Sequence, residues 1–433
     1  MAFIHNKSCE CTKAELDLFQ LPPTQTSVEA GDWVPYKPVA SINDDAPIEF
    51  HVPSHSEEYL DLSQTLIYIR AKILNADGTA LAAEVKVAPV NNFLHSMFSD
   101  VTVSLNQKMV SSTSNLYPYR AYIETLFNYN QEAKLTRNQC ELWYQDTAGA
   151  MDAVAATNTG FVNRSSYASK SGILEMVGRP HCDLFGQHRY LPNGIDLSVK
   201  FVPSRAAFAI HAEGTAAFKC QILEATLFVR KLTMSPSVLL GHAKALEKSS
   251  YKIPVIRADM KCVTIPANVQ SKSIANHYLG QMPTRLIIGF VTNKALNGNF
   301  NTNPFNFHHH DLSYLSLHID GRQIPSRPLQ PNYEGSSYIE SYLTNFTGTG
   351  IGFRDDGFGV GRAHYPKGYC FYAFDLTSDL SANAEYWSLR KSGTLNIEIK
   401  FAKSLTAALS CITFAEFQNL IEISKERNVT TDF

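Results

Sequence analysis

Parts of this chain occur twice, and that duplication limits the possible folds more than any single motif does. Val103-Ser-Leu-Asn-Gln-Lys-Met-Val110 is matched 214 residues later by Leu317-His-Ile-Asp-Gly-Arg-Gln-Ile324. Both stretches alternate apolar and polar residues, place Asn-Gln or Asp-Gly at a turn, and follow it with a cation and an aliphatic residue. That is the signature of a β-hairpin. Tyr122-Ile-Glu-Thr125 is echoed 216 residues on by Tyr338-Ile-Glu-Ser341, and Ile195-Asp-Leu-Ser-Val-Lys-Phe201 is echoed 200 residues on by Leu395-Asn-Ile-Glu-Ile-Lys-Phe401. Three matches in one order at nearly one spacing predict a tandemly duplicated β domain. The shrinking offset places about 16 extra residues in the first copy, between its helix and its late strands.

At ~150 residues per domain the 433 residues suggest about three domains, but β sandwiches often run to ~200–250, and two such units fit the duplication better. Apolar residues make up 44 %, enough for sizeable cores. Charged residues are only 18 %, below the ~25 % of an ordinary soluble domain. A surface short of charge and rich in Tyr, Phe and Asn predicts that other chains cover much of it. The net charge is −2 and no block of Lys or Arg stands out. The electrostatic footprint of a sequence-reading nucleic-acid binder is therefore missing.

The eight cysteines are scattered without a Cys-x-x-Cys, and Cys9-x-Cys11 has no second ligand pair. Met1 to Gln20 holds no apolar run fit for a signal peptide, and no segment reaches the ~18 apolar residues of a membrane span. The expectation is a reducing interior with packed free thiols, in which the sequons at Asn163, Asn345 and Asn428 are chance matches.

Residues 1–45 read as an N-terminal arm, because Leu21-Pro-Pro and Val34-Pro-Tyr-Lys-Pro interrupt regular structure. Trp33 and Tyr36 in that arm need something to pack on, either this chain or a neighbour. Period-2 patterning predicts strands from Ile48 onward and through the first hairpin. Leu116, Tyr119, Ile123 and Phe127 then recur at helical spacing. Residues 137–180 are weakly patterned and read as a long excursion. The first domain spans 46–235, a linker 236–250, the second domain 251–425 and a tail 426–433. Many short strands, turn signals and only short helices predict an all-β chain of antiparallel sandwiches.

Chemical motifs are weak. Gly348-Thr-Gly-Ile-Gly352 and Gly357-Phe-Gly-Val-Gly361 do not pass from a strand into a helix as a phosphate loop must, and read as mobile loop tips. His308-His-His310 offers at most two convergent ligands on a strand, and the Glu that a cupin places nearby is missing. The run reads as a polar loop, with a pH-sensitive subunit contact as the alternative. Asp44-Asp45, Glu57-Glu58 and Asp355-Asp356 are sequence neighbours rather than pairs across a cleft. Tyr117, Tyr119 and Tyr122 suit core or subunit-interface packing better than base stacking. Together with Trp33 and Tyr36 they are the candidate assembly contacts. No catalytic, cofactor-binding or metal-binding residue is assigned.

One stretch carries a resemblance. Asp183-Leu-Phe-Gly-Gln-His-Arg-Tyr-Leu-Pro-Asn-Gly-Ile-Asp-Leu197 resembles double jelly-roll major capsid proteins of the Polinton/Maverick and adintovirus type, the hexon-like proteins related to those of virophages and adenoviruses. So do Asp45-Ala-Pro-Ile-Glu-Phe-His-Val52, Tyr59-Leu-Asp-Leu62, Val90-Asn-Asn-Phe-Leu-His-Ser-Met-Phe-Ser-Asp-Val-Thr-Val103 and Phe371-Tyr-Ala-Phe-Asp-Leu376. The resemblance implies two eight-stranded jelly-roll sandwiches with short helices in their loops, and homotrimers that imitate a hexagon in an icosahedral shell. It further implies neighbouring capsomers, penton and minor capsid proteins as partners, no cofactor, synthesis in the host cytoplasm and residence in the virion. In that setting the excursion at 137–180 becomes an outward loop or a clasp between subunits. The competing readings are a lectin-like attachment protein and a cupin-like enzyme.

Overall fold

Alternation of small and large apolar residues with polar ones decides which face of each strand turns inward. Along Glu58–Asn75 the buried positions include Leu60, Leu62, Ile67, Ile69, Ala71 and Ile73, and the residues between them are largely half-buried. A strand with one buried face must be covered by a second sheet. The computed structural model describes residues 4–43, 46–54, 57–352 and 357–433, so Asp44-Asp45 and Asp355-Asp356 lie outside the described residues.

Eight strands form the first sandwich: β1 (Val28–Tyr36), β2 (Ile48–Val52), β3 (Glu58–Asn75), β4 (Phe98–Leu105), β5 (Lys108–Ser111), β6 (Leu174–Gly178), β7 (Leu197–Pro203) and β8 (Phe218–Met234). They pair antiparallel as two sheets, β1-β8-β3-β6 and β2-β7-β4-β5. Eight more form the second: β9 (Tyr251–Ile265), β10 (Ser271–Gln281), β11 (Arg285–Thr292), β12 (Leu312–Ile319), β13 (Arg322–Leu329), β14 (Phe371–Asp375), β15 (Ser392–Phe401) and β16 (Leu409–Ile423). Their sheets are β9-β16-β11-β14 and β10-β15-β12-β13. Each strand of the first unit has its counterpart eight places later, in the same spatial order. A final strand, β17 (Val429–Thr431), returns onto β16.

The echoes in the sequence fall on equivalent elements. The hairpins are β4–β5 and β12–β13. Asn106, Gln107, Asp320 and Gly321 at their turns all have positive φ (46°, 67°, 48° and 80°), as a type I′ turn requires. The late echo falls on β7 and β15. The middle echo finds the right helices in a shifted register. Tyr122 lies inside α1 (Tyr117–Asn128), whereas Tyr338 is the N-cap of α4 (Ile339–Thr347).

The arm is shorter than expected. Residues 28–36 are a full strand of the first sandwich, paired with β8 so that Trp33 faces Arg230 and Tyr36 faces Leu227. Pro35 does not break it because β1 is an edge strand, where a missing N–H leaves no ladder bond unmade. Pro254 in β9, and Pro325 and Pro328 in β13, also sit on edge strands. The expected linker 236–250 is mostly a helix, α3 (Pro236–Leu246), opened by proline in its first turn.

Each sandwich has its own core. Phe50, Ile69, Val103, Val199, Phe201 and Leu227 pack in the first, and Leu286, Phe290, Leu315, Leu317, Ile397 and Cys411 in the second. A third apolar cluster forms the seam between them. Tyr119, Tyr122, Ile123, Leu126 and Phe127 of α1 meet Met260, Ile287, Phe305, Phe307, Phe371 and Phe414 of the second unit. The excursion at 137–180 is built into the fold instead of projecting as a free loop: Leu174–Gly178 is β6, and Leu142, Ala168, Leu174 and Met176 join the first core. Trp143 and Met151 are buried in the seam, and α2 (Thr159–Ala168) carries the fully buried Arg164. The glycine stretches are anchored as well. Gly348 is buried where α4 ends on β14, and a Cβ there would lie 2.4 Å from the Ala373 carbonyl. Phe358 and Val360 of the second stretch pack into the seam.

Lys134 ties α1 to that second stretch. Its buried Nζ donates to the carbonyl oxygens of Leu126 (2.5 Å) and Phe358 (2.8 Å). Desolvation by burial holds the amine down to about 7, against ~10.4 for a free lysine. Between those values the unfolded chain carries a proton that the folded chain lacks, so stability should rise as pH climbs through the window. Lys134→Met should flatten that rise, read as denaturation midpoint against pH.

Candidate assembly surfaces

The candidate contacts separate into two groups. Trp33 stands half exposed on the outer face of β1, with the Arg230 guanidinium 4.6 Å above its ring and its Nε1 donating to the Gln64 carbonyl at 3.3 Å. Tyr36 is partly covered against the first core, with Lys231 Nζ 6.0 Å from its ring and the same amine 2.9 Å from Glu58 Oε2. Both residues remain on the surface.

The three tyrosines do not. Tyr117, Tyr119 and Tyr122 are buried inside the single chain and present no surface to another subunit. Helical spacing marks a face that must be covered, and here the second sandwich covers Tyr119 and Tyr122 while Tyr117 packs into the first core. Tyr122 stacks on Phe305 at 4.4 Å and 4°. Tyr119 meets Phe208, Phe305 and Phe307 edge-on. The Tyr117 hydroxyl lies 2.9 Å from His95 Nδ1 and accepts the His181 amide N–H at 3.2 Å.

His308-His309-His310 forms a local turn. His308 Nδ1 accepts the His310 amide at 3.0 Å and His309 Nδ1 accepts the Asp311 amide at 2.9 Å, while the His309 ring stacks on Tyr333 at 4.0 Å. Burial pulls His309 down to about 4 and His310 to about 3. Burial likewise lowers His308. Burial thus disfavours the charged form of all three rings, which argues against a pH-sensitive contact there.

Two exposed apolar groups were not singled out in the sequence. Ile4, Leu16, Leu18, Phe19 and Leu21 lie exposed along the N-terminal arm. Leu380, Tyr386, Trp387 and Leu389 are exposed on the loop joining β14 to β15. This loop overhangs a cleft of about 580 Å³ lined by Phe127, Ile256, Ile351 and Ala384, with the Arg285–Glu416 ion pair (2.9 Å) in its wall. Scattered exposed apolar residues are ordinary, but two concentrated runs are candidates for binding surfaces. Among the described residues no helix is long and apolar enough to cross a membrane.

No family model matches the chain. A curated relative, Uncharacterized protein F54H12.2 of Caenorhabditis elegans, is 24 % identical over 427 residues, covering 95 % of this chain and 99 % of the relative. A chain from the cryo-EM structure of the Sputnik virophage matches with a TM-score of 0.68 at 12 % identity, covering 100 % of this chain and 94 % of that one. The Faustovirus major capsid protein matches at 0.59 with 8 % identity, over 94 % and 92 % of the two chains. The mavirus major capsid protein matches at 0.55 with 11 % identity, over 100 % and 97 %. Identities this low speak to the fold alone. From end to end, the chain has the double jelly-roll fold seen in these viral major capsid proteins.

Proposed function

We propose that this chain is a major capsid protein that acts as a trimer of pseudo-hexagonal outline. The observation that carries this reading is the strand-for-strand equivalence of β1–β8 and β9–β16 within one chain. A chain with two equivalent sandwiches supplies two corners, so three chains supply six and a threefold ring fits a sixfold lattice. The chain's contribution is binding surface rather than a chemical reaction.

The exposed apolar arm and the Leu380–Leu389 loop are the natural contacts in such an assembly. Obligate interfaces bury on the order of 2,000–5,000 Å² and are more apolar than transient ones. Neighbouring capsomers, penton and minor capsid proteins would be the partners. The protein would reside in the virion after synthesis in the host cytoplasm.

Native mass measurement tests the reading. The expected species weighs three times 48.2 kDa, and a stable solitary chain at micromolar concentration overturns the proposal. Removing residues 1–27, which leaves β1 intact, should preserve trimers and lower the yield of closed particles. Undiminished particle formation by the truncated chain would dismiss the arm as a contact.

A further inference from the structure

Three side chains with metal-binding chemistry converge in the interior of the first sandwich, remote in sequence from the histidine turn. His95 comes from the short helix Phe93–Ser96, Glu141 from the end of the 3-10 turn Arg137–Glu141, and His181 from the loop leaving β6. One ligand atom from each lies within 4.8 Å of the others.

The convergence is not accounted for by hydrogen bonding. His95 Nε2 and Glu141 Oε2 are 3.7 Å apart, and both are buried without a hydrogen-bond partner among the described residues. An orphaned buried donor or acceptor is costly, and such pairs are rare without a further group between them. The far sides of the rings are occupied. His95 Nδ1 meets the Tyr117 hydroxyl at 2.9 Å, and His181 Nδ1 meets Glu124 Oε2 at 2.6 Å, with Arg120 Nε holding Glu124 Oε1 at 2.8 Å. Imidazoles that bind metal are held in this way, by a carboxylate or hydroxyl on the other nitrogen. His181 Nε2 has only Thr125 Oγ1, at 3.5 Å.

Charge and space agree. Arg120 is shared by Glu124 and Asp183, at 2.8 Å each, whereas among the described residues Glu141 has no ion pair with a Lys or Arg, so its carboxylate is free to meet a bound cation. Gly178 at the end of β6 makes room for Glu141, since a Cβ there would lie 2.5 Å from Glu141 Oε1.

We propose that His95, Glu141 and His181 bind one divalent transition-metal ion as a structural clasp, joining the Phe93–Ser96 helix, the excursion and the exit of β6. Two imidazoles and one carboxylate suit zinc, whose fourth position water can fill. The adjoining cleft of about 540 Å³, lined by Glu124, His181, Cys182 and Gln187, supplies the route.

The test uses the full chain, stripped with EDTA, titrated with zinc chloride and then gel-filtered. The expected result is one zinc per chain by elemental analysis and a thermal midpoint several degrees above that of the stripped protein. Glu141→Gln and His181→Asn should each weaken zinc binding at least tenfold, whereas a His308→Ala/His309→Ala/His310→Ala variant and a Cys9→Ser/Cys11→Ser variant should bind as the parent does. X-ray absorption of the zinc-loaded parent, which needs no variant to fold, should show only nitrogen and oxygen ligands, two of them imidazoles, at about 2.0–2.1 Å. Less than a tenth of a zinc per chain, full binding by Glu141→Gln and His181→Asn, or sulfur ligands would overturn the proposal.

Discussion

Asp146→Asn should lower the free energy of unfolding by about 3–5 kcal/mol, the usual loss when one member of a buried ion pair is neutralised. Arg164 is fully buried, and its Nη2 lies 2.6 Å from Asp146 Oδ1. The guanidinium also donates through Nε to the Pro89 carbonyl at 2.9 Å and through Nη1 to the Tyr144 carbonyl. The substitution keeps the shape of the site and leaves that cation without its counter-charge. The other oxygen, Asp146 Oδ2, accepts Asn303 Nδ2 of the second sandwich at 2.9 Å, so the damage should reach across the seam. Urea denaturation measures the loss. A change below about 1 kcal/mol would mean that Arg164 regains hydration when Asp146 is removed.

Tyr122→Ala should lower stability by a comparable amount, about 3–5 kcal/mol for a large aromatic removed from a packed interior. The ring contacts Phe305 and Phe307 of the second sandwich and Trp143 of the excursion, at centroid distances of 4.4, 5.9 and 5.2 Å. It joins the two units along the seam where their cores meet. Calorimetry should therefore show more than a lower midpoint. The parent is expected to unfold in one transition, which in the variant should broaden or divide as the two sandwiches lose their mutual support. One sharp transition, merely shifted, would mean that the rest of the seam suffices.

How much of this was legible in the residues depended on whether the deciding interaction was local. The hairpins were, because Asn106-Gln107 and Asp320-Gly321 each specify left-handed turn geometry within a few residues. The duplication followed from them. β1 was not, because Pro35 reads as a breaker unless the edge position of the strand is known. Tyr117, Tyr119 and Tyr122 advertised a face that had to be covered, but spacing cannot tell a neighbouring sandwich of the same chain from a neighbouring subunit. The histidines misled in opposite ways. His308-His309-His310 is conspicuous as a run, yet His308 and His309 satisfy amides of the turn. His95, Glu141 and His181 come together only after three separate segments fold, so no short spacing announces them.

If the chain tiles a closed particle as proposed, the aromatic wall between its two sandwiches also bears on where curvature arises. Ile253, Val255, Ile421 and Ile423 of the second unit reach into the core of the first, beyond the layer built on α1. A hinge inside the chain would have to open that layer to water, at ~25 cal/mol for every Å² of apolar area exposed. The chain should therefore move as one stiff unit, and in the proposed shell any bend would have to be taken up along the joints between chains.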